Sequence, residues 1–196
     1  MERFPAVTLK LPDWIDEIAR PGEIFVSQEE RMRFVISLAA RNIERGTGGP
    51  FGAAVFEVAT GALIAPGVNI VVPQSCSVAH AEALALMVAQ KMLGTFDLGA
   101  PGMPNMELIT TAQPCIQCFG NVWWSGIKRL VTGASTQQTE AIAGFSEGPV
   151  PLDWAVLLRD RKPSIEVIEG VLADEACQVL QRYKESGGYI YNPDNA

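Results

Sequence analysis

The chain has a single histidine, His80, and far downstream of it a Cys115-Ile116-Gln117-Cys118 pair. A site using all three side chains must bring two distant segments to one point, so this pattern constrains the fold before any composition is counted. One imidazole and two thiolates supply three of zinc's four tetrahedral positions and leave one for water, the arrangement of a catalytic and not a closed structural site. Two residues beyond the histidine stands Glu82, too close to chelate comfortably beside it but placed to exchange a proton with a water at the metal. The expectation is one zinc ion per chain on His80, Cys115 and Cys118, with Glu82 moving protons.

The sequence around these residues alternates between helix and strand signals. Ser27-Gln28-Glu29-Glu30 is a capping box, followed at helical spacing by Met32, Val35, Ile36, Ala39 and Ile43 until Gly46, which predicts a helix over 27–45. Gly52 to Val58 and Ala62 to Val72 are apolar runs joined by Ala59-Thr60-Gly61, the pattern of a hairpin. Residues 79–93 are strong helix formers ending at Gly94, and Glu107 to Ala112 reads as a buried strand running into Pro114. Proline is favoured at the first helical position, so a helix is expected to start there with Cys115 and Cys118 in its first turns. Ile127 to Ala134 and Ser164 to Leu172 supply two more strands, with helices near 136–143, 151–160 and 174–185. The order predicts an α/β fold, a three-layer α/β/α sandwich around a mixed five-stranded sheet. Residues 1–27 read as an N-terminal extension, and 28–196 as one zinc-binding domain with a C-terminal tail.

Fifteen basic residues against 22 acidic ones give a formal net charge of -7, a field that repels nucleic-acid phosphates and anionic lipid. No stretch approaches the ~20 uninterrupted apolar residues of a membrane span, and Met1 to Pro5 is not followed by a secretory apolar run. These features predict a cytoplasmic protein acting on a small neutral molecule, without nucleic-acid or membrane partners. A C-x-x-C pair in such a chain points to metal or redox use, while Cys76 and Cys177 read as small buried hydrophobes.

The pairing of His80-Ala81-Glu82 with Pro114-Cys115-Ile116-Gln117-Cys118 is the H-x-E and P-C-x-x-C signature of zinc deaminases. With Gly49-Pro50-Phe51-Gly52-Ala53, Gly67-Val68-Asn69 and Trp123-Trp124, the chain resembles the cytidine deaminase superfamily, and within it the bacterial guanine deaminases of that fold, over about residues 28–135. The resemblance implies a cytidine deaminase-like fold and a hydrolase acting on cyclic amidines, most simply guanine to xanthine and ammonia. It implies that Asn69 hydrogen-bonds the base, that Ala81 contacts it, that Phe51 and Trp124 sandwich it, and that an acidic residue in the loop Gly144 to Pro149 reads its N–H edge. Glu147 is the candidate for that role and Glu140 a substitute. Such enzymes also use a C-terminal aromatic as a lid, which implicates Tyr189 and Tyr191 in a tail from Tyr189 to Asn195, closing this site or that of a partner in a homodimer. Other aminated rings remain open, among them an amino-triazine such as ammeline, cytosine or a nucleoside. A tRNA adenosine deaminase would be expected to carry a basic C-terminal helix, whereas this tail has no basic residue. A non-catalytic zinc module would not need Glu82 and would usually close the metal with a fourth ligand.

Overall fold

The computed structural model describes residues 4–192. After a short helix α1 (Ile15–Ile18), the chain runs through α2 (Gln28–Glu44), β1 (Gly52–Glu57), β2 (Leu63–Val68), α3 (Ala81–Leu93), β3 (Met106–Ala112) and α4 (Ile116–Ser125). It continues through β4 (Arg129–Ala134), α5 (Thr136–Ala143), α6 (Trp154–Asp160), β5 (Glu166–Ile168) and α7 (Ala173–Glu185). The five strands lie in the order β2-β1-β3-β4-β5. β1 is antiparallel to both β2 and β3, whereas β3, β4 and β5 are mutually parallel, so the sheet is mixed as expected.

Strand alternation builds the layers. Ala54 and Phe56 of β1 face one core cluster with Phe34, Val35 and Leu38 of α2 and Val179 and Leu180 of α7. Ala53 and Val55 face the other, with Ala85 and Leu86 of α3, Val122 of α4 and Leu158 of α6. With both faces covered, the central strands are apolar throughout, and for that reason they read in sequence as continuous runs. The capping box forms as predicted: the Ser27 side chain accepts from Glu30 N, and the Glu30 carboxylate accepts from Ser27 N.

Several boundaries move, each for a local reason. The second strand stops at Val68 and not Val72: Asn69 still bonds the loop before β1, its N donating to Phe51 O and its O accepting from Gly49 N, and beyond it the chain leaves the sheet. Residues 69–79 turn instead, with Gln74 N donating to Ile70 O and Cys76 N to Val71 O. The helix expected from Pro114 begins at Ile116; Cys115 is its N-cap in an extended conformation, so only Cys118 lies within the first turn. β5 keeps three residues of the run Ser164 to Leu172, and α1 carried no sequence signal long enough to detect. The segment read as an extension places Trp14, Ile15 and Ala19 in the first core cluster.

Near the amino-terminal end of β3, away from Cys115, Glu107 is fully buried, paired with Arg31 of α2 and, at 3.2 Å, with Arg129 of β4. A buried carboxylate is tolerable only when paired and hydrogen-bonded, so this cluster fixes α2 against β3 and β4. Nearer the motifs, β2 and the start of α3 touch at Gly67, where an added Cβ would lie 2.2 Å from the Ala81 carbonyl oxygen and 2.5 Å from Ala85 N. Gly67→Ala is therefore expected to force α3 outward and cost about 1–3 kcal/mol, the range of overpacking in a dense core, read as a lower urea midpoint. An unchanged midpoint would show that α3 can shift freely.

Candidate metal centre and active-site cavity

Both halves of the motif sit at helix N-termini. His80 is the N-cap of α3 (φ -75, ψ 156) and Cys115 the N-cap of α4 (φ -65, ψ 174), and neither side chain caps its own helix. They turn toward each other. His80 Nδ1 lies 3.5 Å from Cys115 Sγ and 3.5 Å from Cys118 Sγ. Zinc bonds of about 2.3 Å to sulfur and 2.1 Å to nitrogen, opened to the tetrahedral angle, separate the two donors by roughly 3.6 Å. The three donors thus fit a zinc ion without rearrangement, and among the described residues this group has three members, leaving the fourth position open.

The centre lies in the wall of a cavity of about 800 Å³ at the carboxyl end of β3. Glu82 and Glu147 also line it, at 6% and 8% exposure. Glu82 is held above the usual carboxylate range by burial and then by the neighbouring Cys115, against the opposing pull of His80. Glu147 is pushed up to about 8 by burial first, then by Cys115 and Glu82. The Cys115 thiol is lowered to about 4, chiefly by a hydrogen bond from Cys118 and by His80, both working against burial; Cys118 is raised well above its ordinary value by that same hydrogen bond and by burial. A divalent cation neutralising the two sulfurs would remove their share of the push on both carboxylates, leaving burial as the main cause.

The chain matches the family model for the cytidine and deoxycytidylate deaminase zinc-binding region over residues 26–134. The chain belongs to this deaminase family. It is 46% identical to a solved structure of guanine deaminase from Nitrosomonas europaea, over 92% of this chain and 97% of that one, with a TM-score of 0.87. A solved mutant in complex with 8-azaguanine is 44% identical over 95% of this chain and all of its own (100%), with a TM-score of 0.88. Among curated relatives, guanine deaminase of Bacillus subtilis is 34% identical over 62% of this chain and 73% of its own length. The tRNA-specific adenosine deaminase of Haemophilus influenzae is 34% identical over 79% and 82% respectively. The deaminase is a zinc-dependent hydrolytic enzyme with the cytidine deaminase fold.

Of the residues singled out in the sequence, His80, Cys115, Glu82, Glu147, Asn69, Phe51, Tyr189 and Tyr191 line this one cavity, and Cys118 closes the centre beneath it. Two do not line it. Trp124 is 82% exposed: six residues after Cys118 it lies roughly 120° away around α4, turned to solvent and off the cavity. Ala81 is fully buried against the second core cluster. Glu140 is exposed, and its carboxylate accepts weakly from Glu147 N at 3.4 Å, so it supports the loop from behind.

The structure adds residues that the sequence did not mark. Phe145 packs edge-on to Phe51 at 5.0 Å and stacks with Tyr183 at 6.1 Å, forming an aromatic wall. Tyr183 looks like an ordinary core position of an amphipathic helix, and only tertiary packing turns its ring toward the cavity. The tail crosses its own chain's cavity: Tyr183 Oη donates to Tyr189 O at 2.7 Å, Asn192 Nδ2 donates to Gly144 O at 2.9 Å, and Asn192 Oδ1 accepts from Ser146 N at 2.7 Å. The expected lid extended to Asn195, and residues 193–195 lie outside the described residues.

The two cysteines differ in a way that can be measured. Stripped of metal and reduced, the protein at pH 6 should be alkylated by iodoacetamide at Cys115 at least about tenfold faster than at Cys118, because only the former is a thiolate there. Peptide mass mapping reads the difference. Equal rates would mean that Cys115 is not selectively activated, and zinc-loaded protein should be protected at both.

Proposed function

We propose that this deaminase hydrolyses a free purine base, converting guanine and water to xanthine and ammonia. The observation that carries the reading is the cavity's lining: no lysine or arginine lines it among the described residues, while two buried carboxyl groups do. Such a cavity offers no cation to pair the phosphate of a nucleotide and suits a neutral ring with N–H groups to donate. A net charge of -7 likewise disfavours a tRNA substrate, despite the likeness to a tRNA-specific adenosine deaminase. The complex of a 44%-identical relative with 8-azaguanine points to the same class of small ring.

The roles follow from position. His80, Cys115 and Cys118 would hold the zinc ion, which when bound would supply Lewis-acid activation of a water. Glu82, buried beside the two sulfurs, accepts the proton released and delivers it to the ring, since an amidine nitrogen leaves poorly unless the ring is protonated. Glu147 faces the base's N–H edge and assists the departing ammonia. Asn69 Oδ1 accepts from Val71 N at 3.3 Å, which leaves its Nδ2 to donate to a ring carbonyl, a group that guanine has and adenine lacks. Phe51 stacks on the ring, and Tyr189 and Tyr191 cover it, excluding water so that these polar contacts act at low dielectric.

We also place the protein in the cytoplasm as a homodimer. Four unpaired cysteines support a reducing compartment, and exposed Trp124, Phe96 and Leu152 support a covered face. Among the described residues no helix is long and apolar enough to cross a membrane.

An ammonia-release screen over guanine, adenine, cytosine, guanosine, ammeline and a tRNA anticodon stem tests the substrate. The highest kcat/KM is expected on guanine, and a preference for the RNA would overturn the reading. Glu82→Gln should keep zinc while losing about 10² to 10⁴ in kcat, the usual loss when a general acid–base cannot cycle its proton. Loss of zinc in that variant would instead make Glu82 a ligand. Glu147→Gln should lower kcat/KM for guanine by at least about tenfold with zinc retained; an unchanged value would remove Glu147 from the reaction.

A further inference from the structure

We infer that Trp14, Thr47 and Asn42 form a directional hydrogen-bond relay that positions Asn69 and the Phe51 loop, making them positioning residues for substrate recognition. The inference rests on the proposed contact between Asn69 and the base.

Donor and acceptor inventories fix the direction of the relay. An indole N–H can only donate, and Trp14 Nε1 lies 2.9 Å from Thr47 Oγ1, so the hydroxyl must accept there. Its single hydrogen then goes to Asn42 Oδ1 at 2.8 Å, a shorter path than the Asn42 main-chain oxygen at 3.3 Å. With Oδ1 committed as acceptor, Asn42 Nδ2 must face the other way. There it meets two carbonyl oxygens, Gly49 O at 2.9 Å and Asn69 O at 2.8 Å. A flipped amide would set oxygen against both carbonyls. Asn42 is 0% exposed, so no bulk water would relieve the mismatch.

Those two carbonyls belong to the cavity wall. Asn69 O also accepts from Gly49 N at 3.1 Å, and Asn69 N donates to Phe51 O at 3.1 Å, so the end of β2 and the loop 47–51 are tied together as one unit. The approach is close enough that a Cβ at Gly48 would lie 1.9 Å from Asn69 O and 2.7 Å from Asn42 Nδ2. Asn69 Oδ1 is occupied by Val71 N, and its Nδ2 has no partner among the described residues. Fixing this backbone therefore aims a free donor along the cavity. Trp14 is 6% exposed and precedes the match to the family model, which begins at residue 26. The N-terminal segment thus supports recognition from outside the catalytic motifs.

The test is a double-mutant cycle in the zinc-loaded, full-length enzyme. Trp14→Phe keeps a ring in the core and removes the donor; Asn42→Asp keeps shape and removes the two amide hydrogens. Each is made alone and on an Asn69→Ala background, with zinc content, Tm, kcat and KM for guanine measured. In the wild-type background KM should rise about 5- to 30-fold, the equivalent of one or two lost hydrogen bonds, with zinc bound and kcat little changed. On the Asn69→Ala background the same substitutions should change KM less than about twofold, because the group they position is gone. Equal effects in both backgrounds would reduce these residues to general stability and overturn the inference. Hydrogen exchange without substrate gives an independent reading: the amides of Gly49, Asn69 and Val71 should exchange faster in Trp14→Phe than in wild type, and unchanged exchange there overturns the relay. If wild-type enzyme fails to turn over guanine, the substrate reading fails, and exchange in the well-packed Trp14→Phe variant still decides this one.

Discussion

The structure depends on the convergence of two helix N-termini on one point. A three-donor tetrahedral site tolerates little error, and His80 and Cys115 reach it only because α3 and α4 begin side by side at the carboxyl end of the sheet. Gly67 permits that approach on one side by letting β2 touch the first turn of α3. On the other side, β3 delivers Gln113 and Pro114 in extended form, so that Cys115 becomes an N-cap and Cys118 follows one turn below. The partial positive charge of both helix ends then favours the anionic sulfurs that zinc requires.

The same convergence creates an electrostatic conflict. Two carboxyls and two thiols are buried together, and an ionised Cys115 raises the cost of ionising Glu82, Glu147 and Cys118. A divalent cation resolves the conflict by neutralising the sulfurs. What remains is a pair of buried carboxyls near one ring-sized space, with proton affinities raised mainly by burial. Glu147, raised to about 8, can hold and release a proton near neutral pH, which an ordinary surface glutamate cannot do, and Glu82 holds its proton more tightly than such a glutamate. The scaffold away from the centre is built to bear this: the paired Glu107 cluster and two dry core layers keep the cavity walls in place.

Legibility from sequence followed the range of the physics. The capping box at Ser27, the Gly94 stop of α3, the buried run of β3 and the order of elements are local signals and were readable. So was the centre, because helix N-termini and ligand chemistry are encoded within a few residues. The end of β2 was not, since it depends on where the distant β1 begins and on the turn that takes residues 70–79 out of the sheet. Trp124 was misplaced because an aromatic near a ligand pair says nothing about which side of the helix it occupies.

By itself the sequence determined the α/β class and the metal chemistry, because each rests on side-chain type at short spacing. Tertiary structure alone decided which aromatics wall the cavity, that the tail crosses its own chain's site through Asn192, and that Trp14 connects through Asn42 to Asn69. These contacts join residues tens of positions apart. Their hydrogen-bond directions follow from donor and acceptor inventories only once packing has placed the groups within reach.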